Sequence, residues 1–278
     1  MTQHSTCPGR TATVPGVDDL APEWFAALVA PAVDRVHRGV HDRSAGHAGA
    51  QRLRRHGVPH PGLLITLRFV LLRGPMDRAA FPLALRYDPP GDVLRAVDEL
   101  VAGGWLMPAS GELPAGCLPT GGNLTADGEL PADGALGADG RTAAFLHGVY
   151  DLHAEVTAAA WPRDLSALLD AAGTLLAAGT ATGGPAFAAF APPHERAGDP
   201  PGVLLFNRLA ALRYHRSDAH AAAWAARGLT AAEIAALPAD APLRREIEAD
   251  TNGRAATPYE ALTPAERLAF LAGLAALP

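Results

Sequence analysis

The chain has 278 residues, 49% of them hydrophobic but only 6% aromatic, and a formal net charge of −6. That length suffices for one large or two modest domains, and an apolar content dominated by Ala, Leu and Val suits closely packed helices rather than an all-β sandwich. All 23 basic residues are arginine, which excludes Schiff-base chemistry, a pyridoxal-phosphate lysine and the phosphate-cradling Gly-Lys-Ser/Thr loop.

The sequence holds no uncharged apolar run long enough to span a bilayer and no basic start leading into an apolar cleavage signal. The expectation is a cytoplasmic protein with no membrane partner. Cys7 and Cys117 are the only cysteines, so neither a disulfide framework nor a Cys-rich zinc site is available.

Residues 1–20 are polar, punctuated by Gly and Pro, and expected to be disordered. Pro22-Glu23 then opens a helix carrying Trp24, Leu28, Val33 and Val36, the start of an N-terminal arm and domain over 21–178. From Arg35 to His60 the chain is basic: Arg35, Arg38, Arg43, Arg52, Arg54 and Arg55 stand against Asp34 and Asp42, with five histidines between them. This stretch reads as a solvated, mobile segment or as an arm pairing with acidic groups elsewhere. It is also the one surface able to meet DNA.

From Leu63 the pattern is an apolar helix to Leu72, a Gly74-Pro75 break, a short helix over Met76–Leu85, and a turn at Asp88-Pro89-Pro90-Gly91. A helix with Val93, Leu94, Val97, Leu100 and Val101 at spacings of three and four follows, ending at Gly103-Gly104. Trp105-Leu106-Met107 reads as a strand, and Ala109–Gly140 as a long loop or wing. Two helices joined by a tight turn and followed by a strand and loop make a helix-turn-helix arrangement.

The stretch RGPMDRAAFPLALRYDPPGDVLRAVDELVAGGWL, with DGRTAAFLHGVYDL after it, resembles the core and following long helix of MarR-type winged-helix regulators over about residues 63–160. The resemblance implies a winged helix-turn-helix unit with a small β-wing. LAALRYHRSDAHAAAWAARGLTAAEI, further on, resembles an uncharacterised bacterial family of tandem winged-helix-like proteins. No second wing follows Ile234, so a second repeat would be degenerate.

Residues 179–200 read as a linker, and 201–278 as a C-terminal helical bundle with helices over Val203–Arg227, Leu229–Leu237, Leu243–Ala249 and from Thr263. The last opens with an N-cap Thr, Pro at the first position and Glu at the third. VYDLHAEVTAAAWPRDLSALL and IEADTNGRAATPYEALTPAERLAFL echo one another weakly, each setting an aromatic beside a proline before a Leu-rich helix.

On the fold that the resemblance implies, the Asp92–Val101 helix would enter the major groove. It carries Arg95 against Asp92, Asp98 and Glu99, and seven acids but no base lie between Arg95 and Arg141. Phosphate contacts need cationic donors, so the DNA-reading surface is expected to be degenerate.

Chemistry is best sought on the Val203–Arg227 helix. At about 100° per residue, Leu205, Phe206, Leu209, Leu212, Ala223 and Trp224 share one arc of roughly 120°. Arg213, Arg216, His220 and Arg227 fall inside it, and cations there need an anion, a partner carboxylate or a cavity. Arg213, Arg216, His220 and Trp224 are therefore candidate ligand-binding residues for an anionic or carbonyl-bearing small molecule. His215, Asp218 and His220 are the candidate catalytic residues.

His37 and His41, four apart, have a metal-ligand spacing. His147 and Asp151 offer a similar pair on the helix after the wing, and the two pairs together could form a composite two-helix metal site. With 11 histidines in the chain such spacings arise by accident, and no metal or cofactor is assigned.

The expectation is a small-molecule-binding protein on a MarR-like winged-helix scaffold. It would be homodimeric through its terminal helices and bind its ligand between the winged helix and the C-terminal bundle. A ligand-responsive transcription regulator touching DNA through Arg52, Arg54, Arg55 and Arg95 is the first alternative. An enzyme working through the 213–220 helix is the second.

Overall fold

Proline at the first helical position and Glu23 in the first turn start α1 (Pro22–Gly46). Its buried residues Phe25, Val29, Val33, Val36 and Val40 recur every three or four positions, which fixes the inward face. The computed structural model describes residues 20–109 and 134–278; over these the chain is mainly helical, with a small three-stranded antiparallel sheet. The expected disordered start, both cysteines and most of the expected wing lie outside the described residues.

The basic stretch is not a mobile segment, since its residues continue α1 and form α2 (Ala48–Arg54). Arg35 donates to the carbonyls of Leu274 and Leu277 at 2.6 and 2.5 Å, and Arg52 pairs with Glu155 at 3.0 Å. Long-range partners that the sequence does not display hold these cations.

Next come α3 (Pro61–Leu71), β1 (Met76–Asp77), a 3-10 turn (Arg78–Ala80), α4 (Phe81–Ala84), α5 (Pro90–Ala102), β2 (Met107–Pro108) and β3 (Ala135–Gly137). The helix expected from Met76 begins later because Met76 and Asp77 pair with Leu136 and Ala135. The strand expected from Trp105 also begins later. Gly104, at φ +66°, turns the chain so that Trp105 N–H returns to Leu100 O at 2.8 Å and closes α5.

The second half holds α6 (Gly140–Ala160), α7 (Ser166–Gly179), α8 (Pro185–Phe190), α9 (Pro201–Ala225), α10 (Ala231–Ala236), α11 (Pro242–Arg254), a second 3-10 turn (Thr257–Ala261) and α12 (Pro264–Ala276). The capping box read at Thr263 is present, with both reciprocal bonds to Glu266. No helix among the described residues is long and apolar enough to cross a membrane.

Two apolar clusters make up most of the core. One joins α1, α7, α9 and α12; the other joins α3, α4, α5, the sheet and the first half of α6. Helix α9 supplies both, with Leu205, Phe206 and Leu209 in the first and Val203 and Ala210 in the second. The 179–200 segment, expected as a linker, contains α8, and its Phe187 and Phe190 are buried in one cluster each. The expected domain boundary therefore runs through shared core.

The approach of α9 to α6 sets the spacing of the two clusters. A Cβ at Gly202 would sit 2.5 Å from Thr157 Oγ1 and 2.7 Å from its Cβ. Gly202→Ala should therefore lower stability by about 1–3 kcal/mol, against a helix-propensity gain of about 1 kcal/mol. Urea unfolding checks this, and a variant at least as stable as wild type would show that the approach is not tight.

Candidate ligand-binding site

A cavity of about 470 Å³ opens between α1, α3, the α4–α5 turn, α9 and α11. Val29, Val33, Ile65, Phe69 and Leu85 give it apolar walls, and Arg68, His37 and His41 give it a polar inner region. Arg68 is 3% exposed. It enters the core because α3 is otherwise apolar and packs one long face inward.

The guanidinium of Arg68 donates to Asn207 Oδ1 at 3.0 Å and to Ile65 O at 2.8 Å, and lies 4.0 Å from the centre of the Phe69 ring. Among the described residues no carboxylate comes within 4 Å of it. Burial lowers its pKa to about 10, so it stays charged at neutral pH.

Four polar groups surround the Phe206 ring: His37 stacks on it at 5.2 Å, His153 and His41 meet it edge-on at 4.7 and 5.6 Å, and the Arg68 carbon lies 5.3 Å away. Burial, followed by the charge of Arg213, drives His37 down to about 2; burial, followed by Arg68, drives His41 to about 4. His153 is held well below its ordinary value by burial and then by Arg68. All three imidazoles are neutral at pH 7. The cluster thus carries one positive charge and no negative one.

The residues expected on α9 divide between the cavity and the core. Arg213, Arg216 and His220 line the cavity, but the arginines are paired. Arg213 Nε meets Asp34 at 2.7 Å, and its Nη1 donates to His37 Nδ1 at 3.2 Å. Arg216 bonds Glu248 and Asn252, each at 2.9 Å. His220 Nδ1 lies 2.8 Å from the Tyr87 hydroxyl, and its Nε2 3.6 Å from Glu248. Trp224 does not line the cavity; it is buried in a small cluster with Ile234 and Ile247.

His215 and Asp218 do not form an acid–base pair. His215 is buried with Nε2 3.0 Å from the Thr182 hydroxyl. Asp218 accepts from the backbone N–H groups of Ala186 and Phe187 at 3.2 and 2.8 Å and meets Arg86 at 2.5 Å. It caps α8 and anchors the α4–α5 turn, two structural tasks.

Of the residues considered for DNA, Arg95 pairs with Asp92 at 2.9 Å and Arg52 with Glu155, while Arg54 and Arg55 are exposed at the C-terminal end of α2. Asp151 is taken by Arg196 at 2.9 Å, so the imagined composite of His37, His41, His147 and Asp151 does not assemble. Among the described residues no three His, Cys, Asp or Glu are placed to hold a metal ion. Sequence reasoning missed Arg68, Asn207, His153 and Tyr87. The available signal was Arg68 itself, a lone cation within the apolar run LLITLRFVLL.

Comparison with protein-family models, curated proteins and solved structures finds no match.

Two stability predictions follow from the pairing. Arg213→Met should cost less than about 1 kcal/mol, because the pair with Asp34 is solvent-exposed, whereas Asp218→Ala should cost about 3–5 kcal/mol by stranding Arg86. Chemical denaturation gives both values, and a large loss for Arg213→Met would make its ion pair structural.

The histidines set a pH dependence. Their folded pKa values are depressed below the ordinary 6.5, so the unfolded chain binds more protons once pH falls below that value. Stability is full above about pH 6.5 and is lost toward pH 4, by up to about 1.4 kcal/mol per pH unit for each histidine. His153→Leu should flatten the stability–pH slope between pH 6.5 and 5 relative to wild type; an unchanged slope would assign acid lability to other groups.

Proposed function

We propose that the protein binds an anionic small molecule in this cavity, on a MarR-like winged-helix scaffold whose DNA-reading face is degenerate. Arg68 carries the reading. A buried cation without a carboxylate is costly, and an anion entering from the open side of the cavity would compensate it in a region already walled by apolar side chains.

The winged-helix assignment is supported by the order α3, β1, α4, α5, β2, β3 and by the sheet order β1-β3-β2, with β3 antiparallel to both neighbours. On that assignment α5 would be the groove-reading helix. Its acids are engaged internally, Asp92 with Arg95, Asp98 with Arg78 at 2.7 Å and Glu99 with His60 at 2.8 Å. The few local cations are thereby withdrawn from phosphate contact. Homodimerisation through the terminal helices is supported by Trp24 and Leu28 on α1, 68% and 49% exposed, and by Leu268 on α12, 43% exposed.

The second reading, a ligand-responsive DNA-binding regulator, is favoured by the exposed Arg54 and Arg55 at the C-terminal end of α2. An electrophoretic shift of the full chain on duplex DNA at low and physiological salt separates the two. The leading reading expects weak binding at low salt that disappears at physiological salt. Specific retention at physiological salt that is lost when Arg52, Arg54 and Arg55 become Ala would establish the regulator.

The test of the cavity is Arg68→Met, which keeps the stem's packing and removes the charge. The empty variant should be as stable as wild type or more so, while stabilisation of wild type by added small organic anions should disappear. Thermal melts with and without such anions measure both, and equal anion responses in the two proteins would refute the site.

A further inference from the structure

Resting on that reading, we infer that the groups around Phe206 form a seat for a single carboxylate, and that the ligand is a monoanion with one carboxylate and an apolar body. Three observations carry this: the charge count of the cavity, its hydrogen-bond donors and its walls.

The charge count comes first. Of the cations lining the cavity, Arg213 is matched by Asp34 and Arg216 by Glu248, and Asp88 adds a further acid at the mouth. Arg68 is the one cation left uncompensated among the described lining residues. The three lining arginines are equalled in number by Asp34, Glu248 and Asp88, but none of these acids lies within 4 Å of Arg68, and a ligand placing one negative charge there would pair it. A phosphate dianion would bury a second charge with nothing to meet it, in a cavity whose mouth is acidic.

The donors come second. Arg68 has five N–H groups and uses three, two of them on the same Asn207 oxygen. Arginine only donates, so the contact from Arg213 makes His37 Nδ1 an acceptor and places the His37 proton on Nε2. That Nε2–H has no partner among the described residues. His41, neutral and also lining the cavity, keeps one N–H, and neither of its ring nitrogens is hydrogen-bonded to a described residue. A carboxylate's two oxygens accept about four hydrogen bonds, which matches the fork of an arginine supplemented by two imidazole N–H groups.

The seat is poorly suited to a metal. The His37 and His41 rings lie 4.5 Å apart and His41 and His153 5.5 Å apart, yet the three are not placed to coordinate one ion, and Arg68 sets a fixed positive charge beside them. The walls supply the third observation. Val29, Val33, Ile65, Phe69 and Leu85 present apolar surface above the polar inner end, so the body of the ligand is apolar.

Thermal melts of the full chain test this with acetate, phenylacetate, phenylacetamide, phenyl phosphate and zinc chloride, each at matched ionic strength. Acetate and phenylacetate should raise the Tm of wild type saturably, phenylacetate at lower concentration because it also fills apolar wall. Phenylacetamide, phenyl phosphate and zinc should leave it unchanged. Arg68→Met should abolish the carboxylate response, and His37→Phe and His41→Phe should each weaken apparent affinity about tenfold or more.

Arg68-dependent stabilisation by phenyl phosphate, equal to or greater than that by phenylacetate, would overturn the single-carboxylate seat and leave the anion-binding function standing. No Arg68-dependent response to any anion would overturn both. A zinc-induced rise lost in His41→Phe would replace the seat with a metal site. Should a histidine variant fail to fold, the comparison of wild type with Arg68→Met across the same five solutes decides alone.

Discussion

Helix α9 leaves almost no face to solvent along its first half, and that constraint organises the molecule. Gly202, Val203, Leu205, Phe206, Asn207, Leu209, Ala210, Ala211 and Leu212 are all buried. A helix enclosed on every side needs neighbours on every side, and α1, α6, α7, α8 and α11 supply them. Each polar residue on it must then find a partner on a different neighbour: Asn207 on α3, Arg213 on α1, Arg216 on α11, Asp218 at the start of α8. The ion pairs and capping bonds of the C-terminal half follow from the burial of one helix. So does the cavity, which occupies the space where α1 and α3 stand apart over α9.

Arg68 belongs to the same frame but is solved differently. Hydrogen bonds to Asn207 and Ile65 and the faces of Phe69 and Phe206 stabilise the guanidinium without cancelling its charge. The three histidines around it respond by staying neutral, since each would otherwise add a like charge to a poorly solvated place. Neutral imidazoles beside a fixed cation are good hydrogen-bond donors and poor bases. The cluster therefore suits binding more than acid–base catalysis.

Much of the helical framework was legible in the sequence, because Pro at helix starts, Gly at helix ends and three-and-four spacing are local signals. The small sheet was less so: a two-residue strand at Met76 depends on a partner at Leu136 across a long loop, and nothing local in MDRAA announces it. Arg213, Arg216 and His220 line the cavity and Trp224 does not, but the two arginines are paired rather than unmet in charge. Asp34 lies 179 residues from Arg213 in sequence, so the pairing is invisible until the chain is folded. The His37 and His41 pair was visible as a spacing while its chemistry was not. Spacing alone suggests ligands for a metal, whereas burial beside Arg68 makes the two rings neutral donors.

The floor and the mouth of the cavity differ in what holds them, and this bears on how a ligand is retained. At the floor, Arg68 is buried, hydrogen-bonded to Asn207 of α9 behind it and set against the Phe206 ring, so the position of the charge is fixed before anything enters. At the mouth, Tyr87 is 52% exposed, makes one hydrogen bond across to His220 and meets Trp224 edge-on at 5.6 Å, while its neighbour Arg86 is half-buried and paired with Asp218. The backbone of the α4–α5 turn is thus anchored one residue away from a side chain that stands half in solvent. Recognition at a preorganised floor loses little on binding.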